Sequence, residues 1–202
     1  LVLPHVSNIL GNILDIKYIV NNIKKISKNI KILLDGVAYV PHDLVDVNEY
    51  DVDYYVFSFY KFCGLRVSVL YCKDANLYEI ENQNHYFLEN EKKLEIGGKQ
   101  YELLTSVNGV AKYINEFNNI IQNKNLENKK EIDNAINISR DNIANVMKNI
   151  KNYEKTLVNI FKSKLNRDEI TIIEDGSKEK VPIFSLDFKN YHNKNIELIL
   201  NE

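Results

Sequence analysis

Val56-Phe57-Ser58-Phe59-Tyr60-Lys61-Phe62-Cys63-Gly64 is a mostly apolar stretch that holds one basic residue, Lys61. Its first half continues a strand predicted over 52–58, which leaves Ser58, Tyr60 and Lys61 at or just past the strand end. Another apolar run, Ile30-Lys31-Ile32-Leu33-Leu34, ends on Asp35. A lysine and an aspartate, each just past a buried strand, suit a pyridoxal phosphate (PLP) site. The amine can form a Schiff base with the cofactor, and the carboxylate can keep a pyridine nitrogen protonated. Each residue alone also has an ordinary reading, Lys61 as a solvated turn lysine and Asp35 as a cap or turn residue.

Working outward, residues 1–6 read as a strand. Ile16, Ile19, Val20, Ile23 and Ile26 recur at helical spacing and predict an amphipathic helix over 15–28. A strand at 30–34, a turn at Val40-Pro41-His42, a short helix and the strand at 52–58 follow. Successive strand–connection–strand units argue for a parallel sheet with right-handed crossovers. Residues 67–72 are a further strand. Ligands of such sheets sit beyond the carboxyl ends of the strands. Asn8, Asp35 and the stretch from Ser58 to Lys61 all fall there.

Beyond residue 74 the pattern changes. Residues 75–100 read as irregular, with Gly97-Gly98 as punctuation, and a helix is predicted over about 102–122. Apolar residues from Ile132 to Phe161 lie on one stripe, predicting a long helix over 129–165; the same stripe also fits a coiled-coil segment. Strands are predicted at 169–173 and 182–188 around the turn Asp175-Gly176-Ser177.

Composition narrows the function classes. The chain has 202 residues, 45% of them hydrophobic, and a net charge of −2 with both signs mixed. No basic face marks a nucleic-acid partner, and no apolar run reaches the roughly 20 residues of a membrane-spanning helix. No signal peptide is visible. Cys63 and Cys72 have no zinc spacing, so no metal site is expected; they read as thiols of a reducing cytoplasm. Leu1-Val2-Leu3-Pro4 reads as a strand already under way, and the chain stops inside a helical pattern that begins near Asn193. The expectation is an interior piece of a longer protein.

With these residues in order, the chain resembles the class V aminotransferase family of PLP enzymes, the cysteine desulfurases and their relatives. His5-Val6-Ser7-Asn8-Ile9-Leu10-Gly11 is similar to the family's HxSNxxG, and Asp35 to His42 to its DGxxxxPH. The stretch from Val52 to Lys61 is similar to its vDfyxfSxxK. The strong match covers residues 1–73, and a weaker match at Leu94 to Gly98 extends it to about residue 114. The resemblance implies an α/β fold of PLP fold type I in partial form: the mostly parallel sheet of the large domain, a long connecting helix and the start of the small α+β domain. The corresponding boundaries are 1–125, 126–167 and 168–202.

It also implies roles and partners. Lys61 is the catalytic Schiff-base lysine and proton shuttle, and Asp35 pairs with the pyridinium nitrogen. Ser58 and Tyr60 donate to the cofactor phosphate, and Asn8 lies near the phenolic oxygen or the substrate carboxylate. The cofactor is pyridoxal 5'-phosphate, the substrate an amino acid, and the assembly a cytoplasmic homodimer with sites at the subunit boundary.

The chain departs from the family pattern at Ala38, where many members carry glutamine. It departs again at Tyr60, where desulfurases often have histidine, at Leu65 in place of proline, and at Gly98 in place of threonine. Neither Cys63 nor Cys72 stands where desulfurases carry their catalytic cysteine. These departures leave open a non-catalytic relative that keeps the fold for dimerisation or binding. His5 reads equally as a site residue or a bystander, His42 as a structural hydrogen-bonder and His85 as a surface residue.

Overall fold

The structure is a computed structural model that describes residues 1–95, 97–123, 138–177 and 179–201. Its main sheet has four strands in the order β1 (Val2–Pro4), β2 (Leu33–Asp35), β3 (Tyr54–Ser58) and β4 (Ser68–Cys72). β1, β2 and β3 run parallel, and β4 returns antiparallel to β3. Pro4, Asp35 and Val56 stand level in adjacent strands. Helix α1 (Ile16–Ile26) makes the first crossover and α2 (Val47–Tyr50) lies within the second.

Helix α1 forms where the apolar spacing predicted. The Asp15 carboxylate accepts from the Tyr18 N–H at its start, and Lys24 and Lys25 face its negative end. Its buried residues, Ile16 and Val20, pack with Leu34, Val52 and Tyr55 of the sheet region. Burying each such aliphatic side chain contributes roughly 1.5–3 kcal/mol. Side chains alternate along a strand, so Leu34 and Asp35 point to opposite faces. Leu34 is buried in the core shared with α1, and Asp35 is exposed. The register puts Val2, Leu33, Val56 and Leu70 on the Asp35 face as well. That face is the more open one: Val2 is 70% and Leu70 43% exposed.

The segment after β4 is more ordered than expected. Helix α3 (Asp74–Glu79) forms, and a 3-10 turn covers Asn90–Leu94. Asn76 explains the first: it is buried, donates to Asp53 Oδ1 at 3.1 Å and accepts from Lys31 at 2.6 Å. Asn82 ties the following loop by donating to the carbonyls of His85 and Leu88.

Two helices lie beside the sheet, α4 (Tyr101–Ile121) and α5 (Arg140–Lys164). The long helix predicted over 129–165 therefore starts later. Ser139 is extended and its Oγ accepts from the Asn142 N–H, so it caps a helix that begins at Arg140. The part of that expectation at 129–137 lies outside the described residues. Val146 of α5 packs with Val110 and Ile114 of α4, flanked by Ile143 and Ile150. Asn145 donates to the buried Asn118 at 2.8 Å, and Asn142 to Asn115 at 3.2 Å. The hairpin β5 (Ile170–Ile173) and β6 (Ser185–Phe188) and helix α6 (Asn193–Leu200) complete the described chain.

Candidate active site

The carboxyl ends of the three parallel strands form one edge, and each delivers one of the expected residues or a loop that bears it. After β1, Ser7 Oγ accepts from the N–H groups of Ile9 and Leu10, and the Gly11 N–H returns to the Ser7 carbonyl. This tight turn leaves Asn8 exposed. Gly11, with φ +73°, cannot be replaced simply, because a Cβ there would lie 2.8 Å from the Val181 carbonyl oxygen.

Asp35 ends β2. Its Oδ1 accepts from the Val37 N–H at 2.9 Å, and its carbonyl accepts from the His5 N–H at 2.8 Å. The next residue, Gly36, donates to the Val56 carbonyl and accepts from the N–H groups of Tyr39 and Val40. A Cβ on Gly36 would lie 2.2 Å from the Tyr55 ring, so only glycine fits beneath it.

Lys61 closes the 3-10 turn Phe59–Lys61 that follows β3. The Phe59 carbonyl accepts from the N–H groups of both Phe62 and Gly64, and the Phe59 N–H reaches the Val67 carbonyl at 2.8 Å. Phe59 and Phe62 pack against the core formed by Val110, Ile114 and Val146. The turn is thus held on both sides of Lys61, whose side chain stays exposed with its Nζ 5.9 Å from the centre of the Tyr60 ring. Cys63, at φ +58°, completes the bend, and Gly64 fits where a Cβ would lie 2.7 Å from that of Phe59.

The five expected site residues therefore share one edge. Strand alternation puts Ser58 on the same face as Asp35, two residues past the level of Val56. No hydrogen bond joins Asp35 to Lys61 among the described residues. Ser58 is buried and its Oγ donates to the Val67 carbonyl at 3.2 Å, so its proton is engaged within the chain. The exposed Tyr60 carries no such commitment to the core. Ala38 is buried with Val6, Tyr39 and Val181, so this position serves packing.

The histidines separate by environment. His5 is buried, stacks on Tyr39 with ring centres 3.6 Å apart and hydrogen-bonds the Tyr55 hydroxyl through Nδ1 at 2.9 Å. Burial lowers its pKa from 6.5 to about 4, against a smaller opposing effect of Asp43. His42 bonds Glu154 of α5 at 2.7 Å, as befits a structural hydrogen-bonder, and His85 is exposed beside Phe87. Sequence reasoning missed Gly36 and Tyr55 as partners. The available signal was a tyrosine at an inward position of β3, opposite the residue before Asp35.

An exposed carboxylate, an exposed amine and an exposed phenol on one edge are groups that could hold a cofactor such as PLP. Among the described residues no helix is long and apolar enough to cross a membrane, and no cluster of three acidic, histidine or cysteine side chains could hold a metal.

Comparison with known proteins bears on the family and the fold. The family model of aminotransferase class V matches residues 1–202. The aminotransferase-like protein FGM3 of Gibberella zeae is 36% identical over 115 residues, which is 55% of this chain and 28% of that protein. The cysteine desulfurase-like protein ustD of Aspergillus flavus is 36% identical over 116 residues, covering 55% of this chain and 26% of its own length. Among solved structures, the cysteine desulfurase CsdA of Escherichia coli superposes with a TM-score of 0.64 at 17% identity, over 99% of this chain and 46% of that one. A NifS-like protein gives 0.67 at 16% identity, again over 99% and 46%. The fold is therefore PLP fold type I, and the chain spans about half the length of these solved structures.

Proposed function

This chain belongs to the class V aminotransferase family, and from that premise we propose that the protein is a PLP-dependent enzyme acting on an amino acid, with Lys61 as its Schiff-base residue. The observation that carries the reading is the placement of Asp35 and Lys61 at the ends of adjacent parallel strands, both exposed on the same sheet edge. PLP, when bound, supplies an electron sink for the bond broken at the substrate's alpha carbon. The chain's part is to hold and aim. The Asp35 carboxylate holds a proton on the ring nitrogen by charge pairing. Lys61 Nζ would hold the cofactor's carbonyl carbon and would serve as the base that takes and returns the substrate proton. Tyr60 offers its hydroxyl to the phosphate, with Ser58 as a second group once its bond to Val67 is exchanged. Asn8 offers an amide to the phenolic oxygen or the substrate carboxylate.

In this reading residues 1–125 belong to the large domain, 126–167 to the connection and 168–202 to the small domain. The active protein is a homodimer. A reducing cytoplasm suits the free thiols of Cys63 and Cys72. The test uses the protein expressed from its complete coding sequence. It should be yellow, and borohydride reduction followed by peptide mapping should put the pyridoxyl group on Lys61. A label on another lysine, or none despite bound PLP, refutes the assignment. The second reading, a non-catalytic relative, is favoured by the engaged Ser58 hydroxyl and the packed Ala38. It requires a protein that folds and dimerises without taking up PLP.

A further inference from the structure

We propose that the Tyr55 hydroxyl and the His5 imidazole form a positioning couple that holds Asp35 against the cofactor's ring nitrogen from the opposite face of the sheet; this rests on the role of Asp35 given above.

The argument starts from cost. His5 and Tyr55 are each only 2% exposed. Burying a hydroxyl or an imidazole is unfavourable unless each finds a partner. They find each other, and an apolar pair would fill this core without that requirement. What distinguishes the location is the backbone around it. Tyr55 fills the space in which a Cβ of Gly36 would sit, and Gly36 follows Asp35 directly. His5 is joined through its N–H to the Asp35 carbonyl, and its ring stacks on Tyr39, whose N–H closes the turn on the Gly36 carbonyl. The backbone at Asp35 and at Gly36 is thus held by the two residues that carry these rings, His5 through its N–H and Tyr55 through its ring.

Neutrality of the pair matters too. His5 lies between Tyr39, Tyr50 and Tyr55, with Asp43 as the acidic group that acts on it. Burial, aided by the nearby Tyr50 and Asp35, pushes the Tyr55 hydroxyl well above the ordinary phenol range. Between them the rings fix the Asp35 backbone without placing a competing charge behind it. The Asp35 carboxylate is then the charged group held toward the ring nitrogen from this side of the sheet.

The test uses the complete PLP-loaded protein and four variants: Asp35→Asn, Tyr55→Phe, His5→Gln and Tyr50→Phe. The visible absorbance of the lysine-bound cofactor is titrated against pH. Weakening the Asp35 contact removes positive charge from the ring, so the cofactor–lysine nitrogen holds its proton more tightly. Asp35→Asn should raise the midpoint, and Tyr55→Phe should raise it by about half a unit or more, a roughly threefold change in the proton equilibrium. Tyr50→Phe, which keeps the ring beside His5 and removes a hydroxyl other than the one bonded to its Nδ1, should leave it in place. In the cofactor-free protein, amide exchange at Gly36 and Val37 should quicken at least about tenfold in Tyr55→Phe. Should Tyr55→Phe fail to fold, His5→Gln is read instead, because it loses the stack on Tyr39. A midpoint that moves in Asp35→Asn but in neither Tyr55→Phe nor His5→Gln overturns the positioning role alone. A midpoint unmoved even by Asp35→Asn overturns the cofactor reading beneath it.

Discussion

His5 illustrates how little a residue's type says before its surroundings are known. In the sequence it stands in a motif beside candidate ligands, which left it equally a participant or a bystander. In the structure it is a neutral ring between tyrosines. Its folded pKa of about 4 lies below the ordinary 6.5. The unfolded chain therefore binds a proton that the folded chain refuses anywhere between those values. Stability from this group is fully present above pH 6.5 and is lost as pH falls through about 4, a loss of ~3 kcal/mol. Urea denaturation at pH 7.5 and pH 4.5 should show this dependence, and His5→Gln should flatten much of it. Equal slopes in both proteins would mean that other groups control the acid response. The positions of Asp35 and Lys61 at or just past strand ends were legible in sequence because each follows an apolar run. Tyr55 was not, because its importance comes from the space above Gly36 and from a residue 50 positions away.

At the scale of elements, strand and helix positions followed periodicity closely where one face is buried, as in α1 and β3. They fell short where a local cap or the side chains of distant segments decide. The start of α5 was set by the Ser139 cap against a continuing apolar stripe. Helix α3 owes its place to Asn76 reaching Asp53 across 23 positions, which no local pattern contains. The turn after Asp35 is also tied to α5. His42 bonds Glu154, Asp43 pairs with Lys151, and Asp46 pairs with Arg140 at 2.8 Å. His42 and Glu154 are about one-fifth exposed, so their pairing is screened less than a surface pair. A double-mutant cycle with His42→Ala and Glu154→Ala should yield a coupling of about 0.5–1.5 kcal/mol at pH 6. A value indistinguishable from zero would show that the contact does not help hold α5 to the turn.

At the scale of the molecule, the main sheet buries one face and leaves the Asp35 face partly open. A mostly parallel sheet is normally covered on both sides. With Val2 and Leu70 exposed on that face, the described residues present apolar surface and a β1 edge that no other described strand pairs. Residues 1–202 expressed alone should therefore self-associate and bind PLP weakly. Sedimentation and absorbance titration would check this. A monodisperse, cooperatively melting species with micromolar PLP affinity would overturn it. Fold class was legible because the strand ends and their polar residues recur in order. The open face was not, since alternation tells which residues share a side but not what covers them.

The Gly36–Tyr55 contact carries one more consequence, for inheritance. Two positions that claim the same volume cannot drift independently. A lineage that gains a methyl group at 36 must first, or at once, give up the ring at 55, and the hydroxyl's partner at 5 is then free to change. Across homologous sequences these three sites should therefore vary as a block. Alanine at 36 should occur with a slimmer, flexible residue at 55 and without histidine at 5.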